Sequence, residues 1–550
     1  MKSFTPTLKR FFHSCTVAMV FGICTSTGVA LAEWTPPIGI PAPPFGIKEV
    51  APALPSPWTQ DVPGFYYVRE GGTNAGYGYP GSPRDRIPER LPAGSVVILA
   101  GVYNARQSNP YNIIASGTAS RPVYIRGACC ADAPTITDQF KIGGSYYVVE
   151  NVATKWVDAR PQGGLIMEGD HGVLRHTDLR GDKGQYSGYV ALGGSYHVIW
   201  DNRIHDFGDV KADYDQDNHG IALGEQTDHI WIVDNDIARC SGTGVNLNAG
   251  SIAMQPTLHH IYVGRNASHG NKQDGFWSKQ AVDVIFSQNT CYDHRPGNSS
   301  DGACMGGQYG PSFVWFLFNH IYDSESGIRI QSTSGLGSGT DVFVIGNVIH
   351  DITDTWPPSP DNAHGAGAIV FRDLTNHYVV NNTLWNYQAG INVPTFGSVY
   401  IAGNILGGRN AAKGRDIFVE RNTTAANSVL RNNVFDPSSV RIQWGDDTVY
   451  TTLSAFSSAT GKGQGSVEAN PQFVDAAGKN FQLRATSPAI NAGVAEEVYN
   501  IFLNRYGLDI RKDVAGTARP QSSAFDIGAY EYVSQVALQP PVPPTVLKVR

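Results

Sequence analysis

Short apolar runs that end at an asparagine recur along most of the chain. Val148-Val149-Glu150-Asn151 is one such run, and Ile232-Val233-Asp234-Asn235 is another. The run returns every 22 to 35 residues, with a mean near 28. Intervals that are similar but differ by several residues predict repeated units whose strands keep their length while their loops vary in length. The whole series is Asn151, Asp178 in place of asparagine, Asn202, Asn235, Asn266, Asn289, Asn319, Asn347, Asn382, Asn404 and Asn433.

A second pattern lies inside these intervals, a glycine followed by alternating inward and outward residues. It begins at Gly220, Gly244, Gly275, Gly302, Gly327 and Gly390. Two patterns in fixed order at one period indicate a coil of three short strands. Stacked coils lie about 4.8 Å apart, which lets each asparagine bond to the next. The chain is therefore predicted to be all-β, a parallel β-helix of roughly a dozen coils.

The two ends of the chain depart from the repeat. Residues 1–32 are typical of a cleaved signal peptide, with a basic start, a short apolar stretch and a small-residue site. We expect a Pro-rich lead-in at 33–60, an N-terminal cap with the first coils at 61–145, and the helix repeats at 146–440. C-terminal coils and a closing segment are expected at 441–535, and a flexible tail at 536–550.

Charge and cysteine content narrow the class of protein. The net charge of −7 becomes −10 without residues 1–32, which carry three basic residues and no acidic ones. An acidic surface argues against nucleic acid, and the absence of a later long apolar stretch argues against membrane insertion. The sequence predicts a secreted protein held by a large β core, and it leaves the oligomeric state open. The remaining cysteines, odd in number and without zinc spacing, are Cys129, Cys130, Cys240, Cys291 and Cys304.

The second and fourth residues of each Gly-led strand are predicted to point outward, so that stacked coils form two exposed columns. Tryptophan can stack on a sugar ring, while amide and cationic side chains bond hydroxyls and carboxylates. The substrate-binding candidates on this face are Trp277, Asn246, Asn248, Gln331 and Arg372. The first column is Ala222, Asn246, Trp277, Cys304 and Arg329, and the second is Gly224, Asn248, Lys279, Gly306 and Gln331.

An acidic loop precedes the first of these strands, Asp213-Tyr214-Asp215-Gln216-Asp217-Asn218-His219. Alternating carboxylates supply the oxygen ligands that Ca²⁺ prefers. A bound Ca²⁺ would offset the acidity of the protein and hold the carboxylate of a uronic acid. Aspartate before glycine is also ordinary turn chemistry, which is the alternative interpretation for Asp274 and Asp301. The candidate metal ligands are Asp213, Asp215, Asp217, Asp274 and Glu225.

The asparagine ladder with Gly-led strands resembles the pectate-lyase-like right-handed parallel β-helix superfamily. The closing segments, Ser487 to Gly493 and Asp526 to Tyr532, resemble the C-terminus of many exported bacterial β-helix proteins. The resemblance covers roughly residues 60 to 532 and implies a single-stranded right-handed solenoid. It also implies a Ca²⁺-dependent lyase that acts by β-elimination on an acidic, uronate-containing polysaccharide. The implied base is Lys279, with Arg329 assisting and His219 as a further catalytic candidate.

Two other classes of function stay open. Asn218-His219-Gly220 and Arg329-Ile330-Gln331 resemble fragments of polygalacturonase motifs, which would make the protein a glycoside hydrolase with carboxylates as acid and base. The third class is a non-catalytic carbohydrate-binding or structural protein of the cell surface, because a fold alone does not assign a function. Ultraviolet-absorbing products separate the lyase from the hydrolase, which releases reducing ends without them.

Overall fold

In the computed structural model each coil has three strand positions, and the asparagine and glycine patterns mark where they lie. The model describes residues 33–48, 50, 52–73, 77–104, 112–128, 134–155, 164–183, 189–297, 300, 302–331, 340–353, 367–372, 376–393, 397–410, 414–438 and 440–534. The predicted signal peptide, the predicted tail at 536–550, Asp301, Cys129 and Cys130 lie outside the described residues. The described strands and helices all belong to the unit Pro36–Arg550.

The first strand position carries the Gly-led pattern, and each strand pairs in parallel with its equivalent one coil later. We call this face the groove column. Two of its strands continue through a bend into the second position. Its strands are Arg90–Pro92, Ile113–Ser116, Phe140–Glu150, Gly164–Met167, Tyr189–Ser195, Ile221–Val233, Val245–Asn248, Phe276–Lys279, Ala303–Gln308, Ser326–Gln331, Ile369–Arg372, Ile391–Val393, Ile417–Val419 and Ile442–Trp444.

The second strand position lies just before the asparagine and the third lies just after it, again with parallel pairing between coils. The second-position strands are Phe65–Arg69, Val96–Ala100, Val123–Gly127, Asp170–Arg175, Val198–Trp200, Leu258–Gly264, Val282–Ser287, Ser312–Leu317, Val342–Ile345, Asn376–Val380, Ser398–Ala402 and Val429–Arg431. The third-position strands are Val102–Tyr103, Thr135–Ile136, Ala153–Lys155, Asp178–Arg180, Arg203–His205, Asp236–Ala238, Ala267–His269, Thr290–Tyr292, His320–Ser324, Val348–Ile352, Thr383–Tyr387, Ile405–Gly407, Val434–Phe435 and Val467–Glu468.

These pairings confirm the all-β prediction and the parallel coil-to-coil architecture. The inward residues of all three positions form one apolar core that runs the length of the stack, from Val68 to Phe456. Burial of this continuous core is the main driving force for the fold, because no coil can bury its apolar side chains alone.

The predicted asparagine ladder is confirmed from Asn202 to Asn433. Each asparagine Oδ1 accepts hydrogen bonds from the backbone N–H and the Nδ2 of the asparagine one coil earlier, as Asn347 does from Asn319 at 2.8 and 2.9 Å. Most residues that directly precede a ladder asparagine have a positive φ, which turns the chain between the second and third strands. The rungs predicted at Asn151 and Asp178 are wrong by one residue, because Thr177 is the residue that bonds to Asn202.

The Pro-rich lead-in runs along the second strand position. The Ile38 carbonyl accepts from Ser287 Oγ at 2.6 Å, and the Pro41 carbonyl accepts from Trp231 Nε1 at 2.8 Å. The Gly46 carbonyl accepts from Arg175 two coils nearer the N-terminus. The lead-in therefore covers the outer side of these strands while the groove column remains uncovered by it.

The C-terminal segment packs on the same side of later coils. Its helix Val498–Tyr506 places Tyr506 OH within 3.0 Å of Trp315 Nε1, and Tyr499 OH donates to Asn381 Oδ1 at 2.9 Å. The buried Arg519–Glu531 pair, 3.2 Å apart, holds the closing turn. The lead-in and this helix thus pack against the second strand position rather than the groove column.

The other elements are short. Helices span Asn422–Asn427 and Leu453–Thr460, and a 3₁₀ turn spans Gln255–Thr257. Val449–Tyr450 pairs in antiparallel fashion with the last groove strand, and Phe473–Asp475 with Asn480–Leu483 forms a hairpin. Within the described part of the chain, none of the helices has the length and apolar character that crossing a bilayer requires.

Replacement of a central ladder residue tests the contribution of the ladder. Asn319→Ala leaves the buried donors of Asn289 without their acceptor and removes the Nδ2 bonds to Phe286 and Asn347. We expect the free energy of unfolding to fall by about 2–4 kcal/mol, since buried polar groups without partners are costly. Chemical denaturation of the purified protein measures this change.

The matched control is Asn427→Ala, at an exposed position at the end of a surface helix. We expect its unfolding free energy to change by less than about 0.5 kcal/mol. Equal effects of the two substitutions would contradict a special role of the ladder.

Candidate functional site

A cleft of about 420 Å³ lies on the outer side of the groove column. Its walls come from three consecutive groove strands and from the loops that precede them. The lining residues are Asp215, Asp217, Thr243, Gln273, Asp274, Trp277, Lys279, Gly297, Ser300, Ala303, Gln308, Tyr309, Arg329 and Gln331. Of the predicted site residues, the cleft brings together Asp215, Asp217, Asp274, Trp277, Lys279, Arg329 and Gln331.

The first outward column differs from the prediction at one coil. Trp277 pairs with Gly306, and Gly306 pairs with Arg329. Cys304 instead occupies the corner position held by Gly275 and Gly327 in the neighbouring coils, and its side chain is fully buried. The prediction that Cys304 points outward is wrong, because the pairing register of this strand is shifted by two residues relative to its glycine. A shift of two residues preserves the alternation and is invisible in the pattern.

Gly306 makes room for the tryptophan. A Cβ atom at this position would lie 2.5 Å from Cζ3 of the Trp277 indole. The absence of a side chain at Gly306 therefore lets the indole pack against this position at the edge of the cleft, with only 5% of the residue exposed.

The second outward column contains Lys279, followed by Gln308 and Gln331 on the next two coils. The predicted position of Gly306 in this column is also wrong, for the same two-residue shift. Gln331 Nε2 donates to Gln308 Oε1 at 3.1 Å, and Arg329 Nη2 donates to Gln331 Oε1 at 3.0 Å. This chain of amides fixes the guanidinium group in the cleft.

Burial lowers the pKa of Arg329 to about 10, and the neighbouring Arg372 lowers it further while Asp274 raises it. Arg372 pairs with Gln331 one coil later and is half-buried. Two guanidinium groups therefore concentrate positive charge at one end of the cleft. A carboxylate bound there would relieve this like-charge repulsion.

Asp274 faces the cleft from the turn before the Trp277 strand. Its Oδ1 accepts from Ser300 Oγ at 2.7 Å and from the Ala303 N–H at 3.2 Å. Burial raises the pKa of Asp274 to about 6, against the lowering effect of these bonds and of Arg329 and Lys279. The carboxyl group is therefore suited to exchange a proton near neutral pH.

His219 is buried behind the acidic loop. Its Nδ1 accepts from the Thr243 N–H at 2.9 Å, and its Nε2 lies 3.1 Å from the Asn246 amide and 3.5 Å from Asp217 Oδ1. Burial lowers the pKa of His219 to about 4, so the ring is neutral at pH 7. Because Nδ1 accepts a bond, the single ring proton belongs on Nε2, which makes His219 a donor that orients the loop.

The predicted acidic loop is tied to the cleft by the segment that precedes Asp274. Gln273 Nε2 donates to Asp215 Oδ1 and to Asp217 Oδ1, both at 3.1 Å, and Thr243 Oγ1 donates to Gln273 Oε1 at 3.2 Å. Lys272 Nζ donates to the backbone carbonyls of Ala212 and Tyr214. These contacts hold two exposed carboxylates side by side at the rim of the cleft.

The remaining predicted residues lie outside the cleft lining. Asp213 and Glu225 are exposed, Asn246 is buried against His219, and Asn248 accepts from the Gly250 N–H. Among the residues that the structure describes, no three carboxylates lie close enough to share one ion. The oxygen set that fits Ca²⁺ is thus reduced to Asp215 and Asp217, with the Gln273 amide beside them.

Sequence reasoning missed Gln273, Thr243, Ser300 and Gln308. The first three lie in loops, whose contacts depend on how the coils stack. Gln308 was missed because the register of its strand was misassigned by two residues. The only sequence signal for Gln273 and Ser300 was their position in the turns before the outward columns.

No protein-family model matches the chain. A probable pectin lyase F of Emericella nidulans is 24% identical over 267 residues, which are 46% of this chain and 48% of that protein. The chain thus spans about half the length of this curated relative.

Several solved structures are similar in architecture. Pectate lyase Pel9A is 14% identical with a TM-score of 0.39, over 85% of this chain and 96% of that chain. A mannuronic acid-specific family 6 lyase from human gut microbiota is 13% identical with a TM-score of 0.42, over 69% and 87%. The lacto-N-biosidase of Eubacterium ramulus is 13% identical with a TM-score of 0.39, over 74% and 67%. Similarities at this level assign no activity to the chain.

The raised pKa of Asp274 predicts a pH-dependent stability difference. The folded protein retains the Asp274 proton between about pH 4 and pH 6, whereas the unfolded chain has lost it. Folding is therefore progressively penalised by this group as the pH rises through that window. Asp274→Asn, which keeps an oxygen acceptor for Ser300, should gain about 2–3 kcal/mol over the wild type on going from pH 4 to pH 7.

Denaturant unfolding of both proteins at several pH values measures this difference. Asp215→Asn is the control, because Asp215 is an exposed carboxylate of the same cleft. A stability difference between Asp274→Asn and the wild type that does not change with pH would contradict the proposed environment of Asp274.

Proposed function

We propose that the cleft cleaves an acidic, uronate-containing polysaccharide by β-elimination. The observation that carries this proposal is the clustering of Lys279, Arg329 and a carboxyl group with a raised pKa, Asp274, in one cleft of a net acidic protein. Elimination needs neutralisation of the uronate carboxylate, a base for the C5 proton and an acid for the leaving oxygen. The three side chains supply one group for each requirement.

In this proposal Arg329, with Arg372 behind it, binds the uronate carboxylate and makes the C5 proton more acidic. Lys279 is the base that takes that proton, the C5–H electrons form the C4–C5 double bond, and the C4–O bond breaks. Asp274 gives its proton to the departing oxygen. His219 is not assigned as the base in this proposal, because its unprotonated nitrogen, Nδ1, already accepts a hydrogen bond from the Thr243 N–H.

Asp215 and Asp217 would hold a Ca²⁺ at the rim of the cleft. When bound, the ion would supply a further positive charge to the uronate carboxylate. Of the other predicted ligands, Asp274 lines the same cleft, whereas Asp213 and Glu225 lie outside its lining. The same proposal includes secretion of the protein. It also includes a right-handed solenoid of roughly a dozen coils.

Removal of the proposed base tests the reaction. We expect Lys279→Ala to lower kcat on pectate, alginate or a glycosaminoglycan by about 10²- to 10⁴-fold, with a smaller change in KM. The rate is followed as the absorbance of the unsaturated product, with and without EDTA. Lys512→Ala is the matched control, because Lys512 is an exposed lysine of the C-terminal segment. Full activity of Lys279→Ala would contradict this assignment.

The second candidate is hydrolysis of a glycosidic bond. The observation that favours it is Asp274 with its raised pKa in the same cleft as the exposed Asp215 and Asp217, since hydrolases pair a protonated and an ionised carboxyl group. This candidate predicts new reducing ends without an ultraviolet-absorbing product, and their loss in Asp274→Asn. Neither product with any polymer would favour the third class, a binding or structural protein.

A further inference from the structure

A second cluster of reactive side chains lies inside the stack, next to the cleft. Cys291, His294 and Cys304 are each fully buried, and one donor atom from each lies within 4.8 Å of the others. Both cysteines are free thiols. Across the described residues no other trio of histidine, cysteine or acidic side chains comes together in this way.

The corner glycine of the preceding coil allows these donors to approach one another. A Cβ atom on Gly275 would lie 2.5 Å from Cys291 Sγ, 3.1 Å from His294 Nε2 and 2.5 Å from the Cys304 carbonyl oxygen, so any larger residue would push the donors apart. Structural zinc is held by thiolate sulfur and imidazole nitrogen, which are the donor types present here. The absence of a side chain at Gly275 therefore lets two sulfur atoms and one nitrogen atom come within 4.8 Å of one another.

The His294 ring points independently to a ligand. It is fully buried, and within the described part of the structure neither ring nitrogen has a partner at hydrogen-bonding geometry. The backbone of Ser268 and Asn271 lies beside the ring. A buried imidazole without a hydrogen bond of good geometry is costly, whereas metal-ligating histidines bind the ion through one nitrogen and donate the other N–H to a backbone carbonyl.

We propose that Cys291, His294 and Cys304 form a structural Zn²⁺ site. On binding, both thiols release their protons to solvent, and two sulfur–zinc bonds and one nitrogen–zinc bond form without any change of oxidation state. Two thiolates and one Zn²⁺ have no net charge, whereas Cu⁺ would leave one negative charge in an apolar interior, which is unfavourable. The Cys304 carbonyl oxygen lies beside the cluster, 3.3 Å from Cys291 Sγ.

The position of the site gives it a structural consequence. His294 and Cys304 lie at the two ends of the connection between the strands Thr290–Tyr292 and Ala303–Gln308. This connection carries Gly297 and Ser300, which line the cleft. A zinc ion would thus tie together the two ends of the segment whose Ser300 bonds Asp274.

Metal analysis of the purified full-length chain tests the proposal. The protein is dialysed against zinc and then against metal-free buffer, and its metal content is measured by plasma mass spectrometry. We expect about one zinc per chain for the wild type. We expect its loss in Cys291→Ser and in Cys304→Ser, and its retention in Cys240→Ser. Cys240 is the matched control, because it is a buried free cysteine outside the cluster.

A measurement on the wild type does not depend on the folding of the variants. Replacement of zinc by Co²⁺ should give the near-ultraviolet charge-transfer band of cobalt–thiolate bonds. A wild-type chain without zinc and without this band would overturn the proposal. A Cys291–Cys304 disulfide in the peptide map, or retention of copper in preference to zinc, would do the same. None of these outcomes depends on the polysaccharide reaction, so the two proposals fail separately.

Discussion

The hydrogen bonds that link each ladder asparagine to the next coil set the register on which the rest of the molecule depends. The side-chain oxygen of each ladder asparagine accepts from the asparagine one coil earlier. Its Nδ2 also donates to a backbone carbonyl of that earlier coil, as Asn319 does to Phe286. A slip of one residue would turn the apolar face outward and leave buried amides without partners. The coils therefore return to one register although their loops differ in length. The loops are free to carry chemistry because the ladder does not use them.

This fixed register converts distant residues into neighbours. Trp277, Gly306 and Arg329 stand one above the other although more than fifty residues separate the first from the last. The lead-in and the C-terminal helix cover the second strand position, so the groove column is the face where side chains can meet a polymer. Lys279 and Arg329 share the cleft with carboxyl groups in a protein with a net charge of −7, so any attraction for an acidic chain is confined to the part of the cleft around these cations.

Period and alternation along the sequence could predict the coil, the ladder, the outward face and half of the residues that line the cleft. They could not predict features that depend on absolute register or on loops. Asn151 missed the ladder by one residue, because an asparagine in the turn looks the same as one in the core. Cys304 missed its column by two residues, because such a shift preserves the alternation. Because of the same shift, the sequence did not predict that Cys304 lies next to Cys291 and His294. The spacing of these three residues in sequence also matches no zinc motif.

Asp274 and Arg329, the two buried ionisable groups of the cleft, are the strongest indication of its chemistry. Burial moves the pKa of Asp274 up and that of Arg329 down, so each is displaced toward its neutral form. Under the proposed function, an arriving uronate carboxylate would stabilise the charged form of Arg329. The same negative charge would raise the pKa of Asp274 further and keep its proton in place. Arg329, with a pKa of about 10, already carries its charge near neutral pH. The effect of an acidic sugar would therefore fall on Asp274, whose proton it would retain for the leaving oxygen. A neutral sugar would not do this, so the selectivity for acidic polymers and the reaction would share one electrostatic cause.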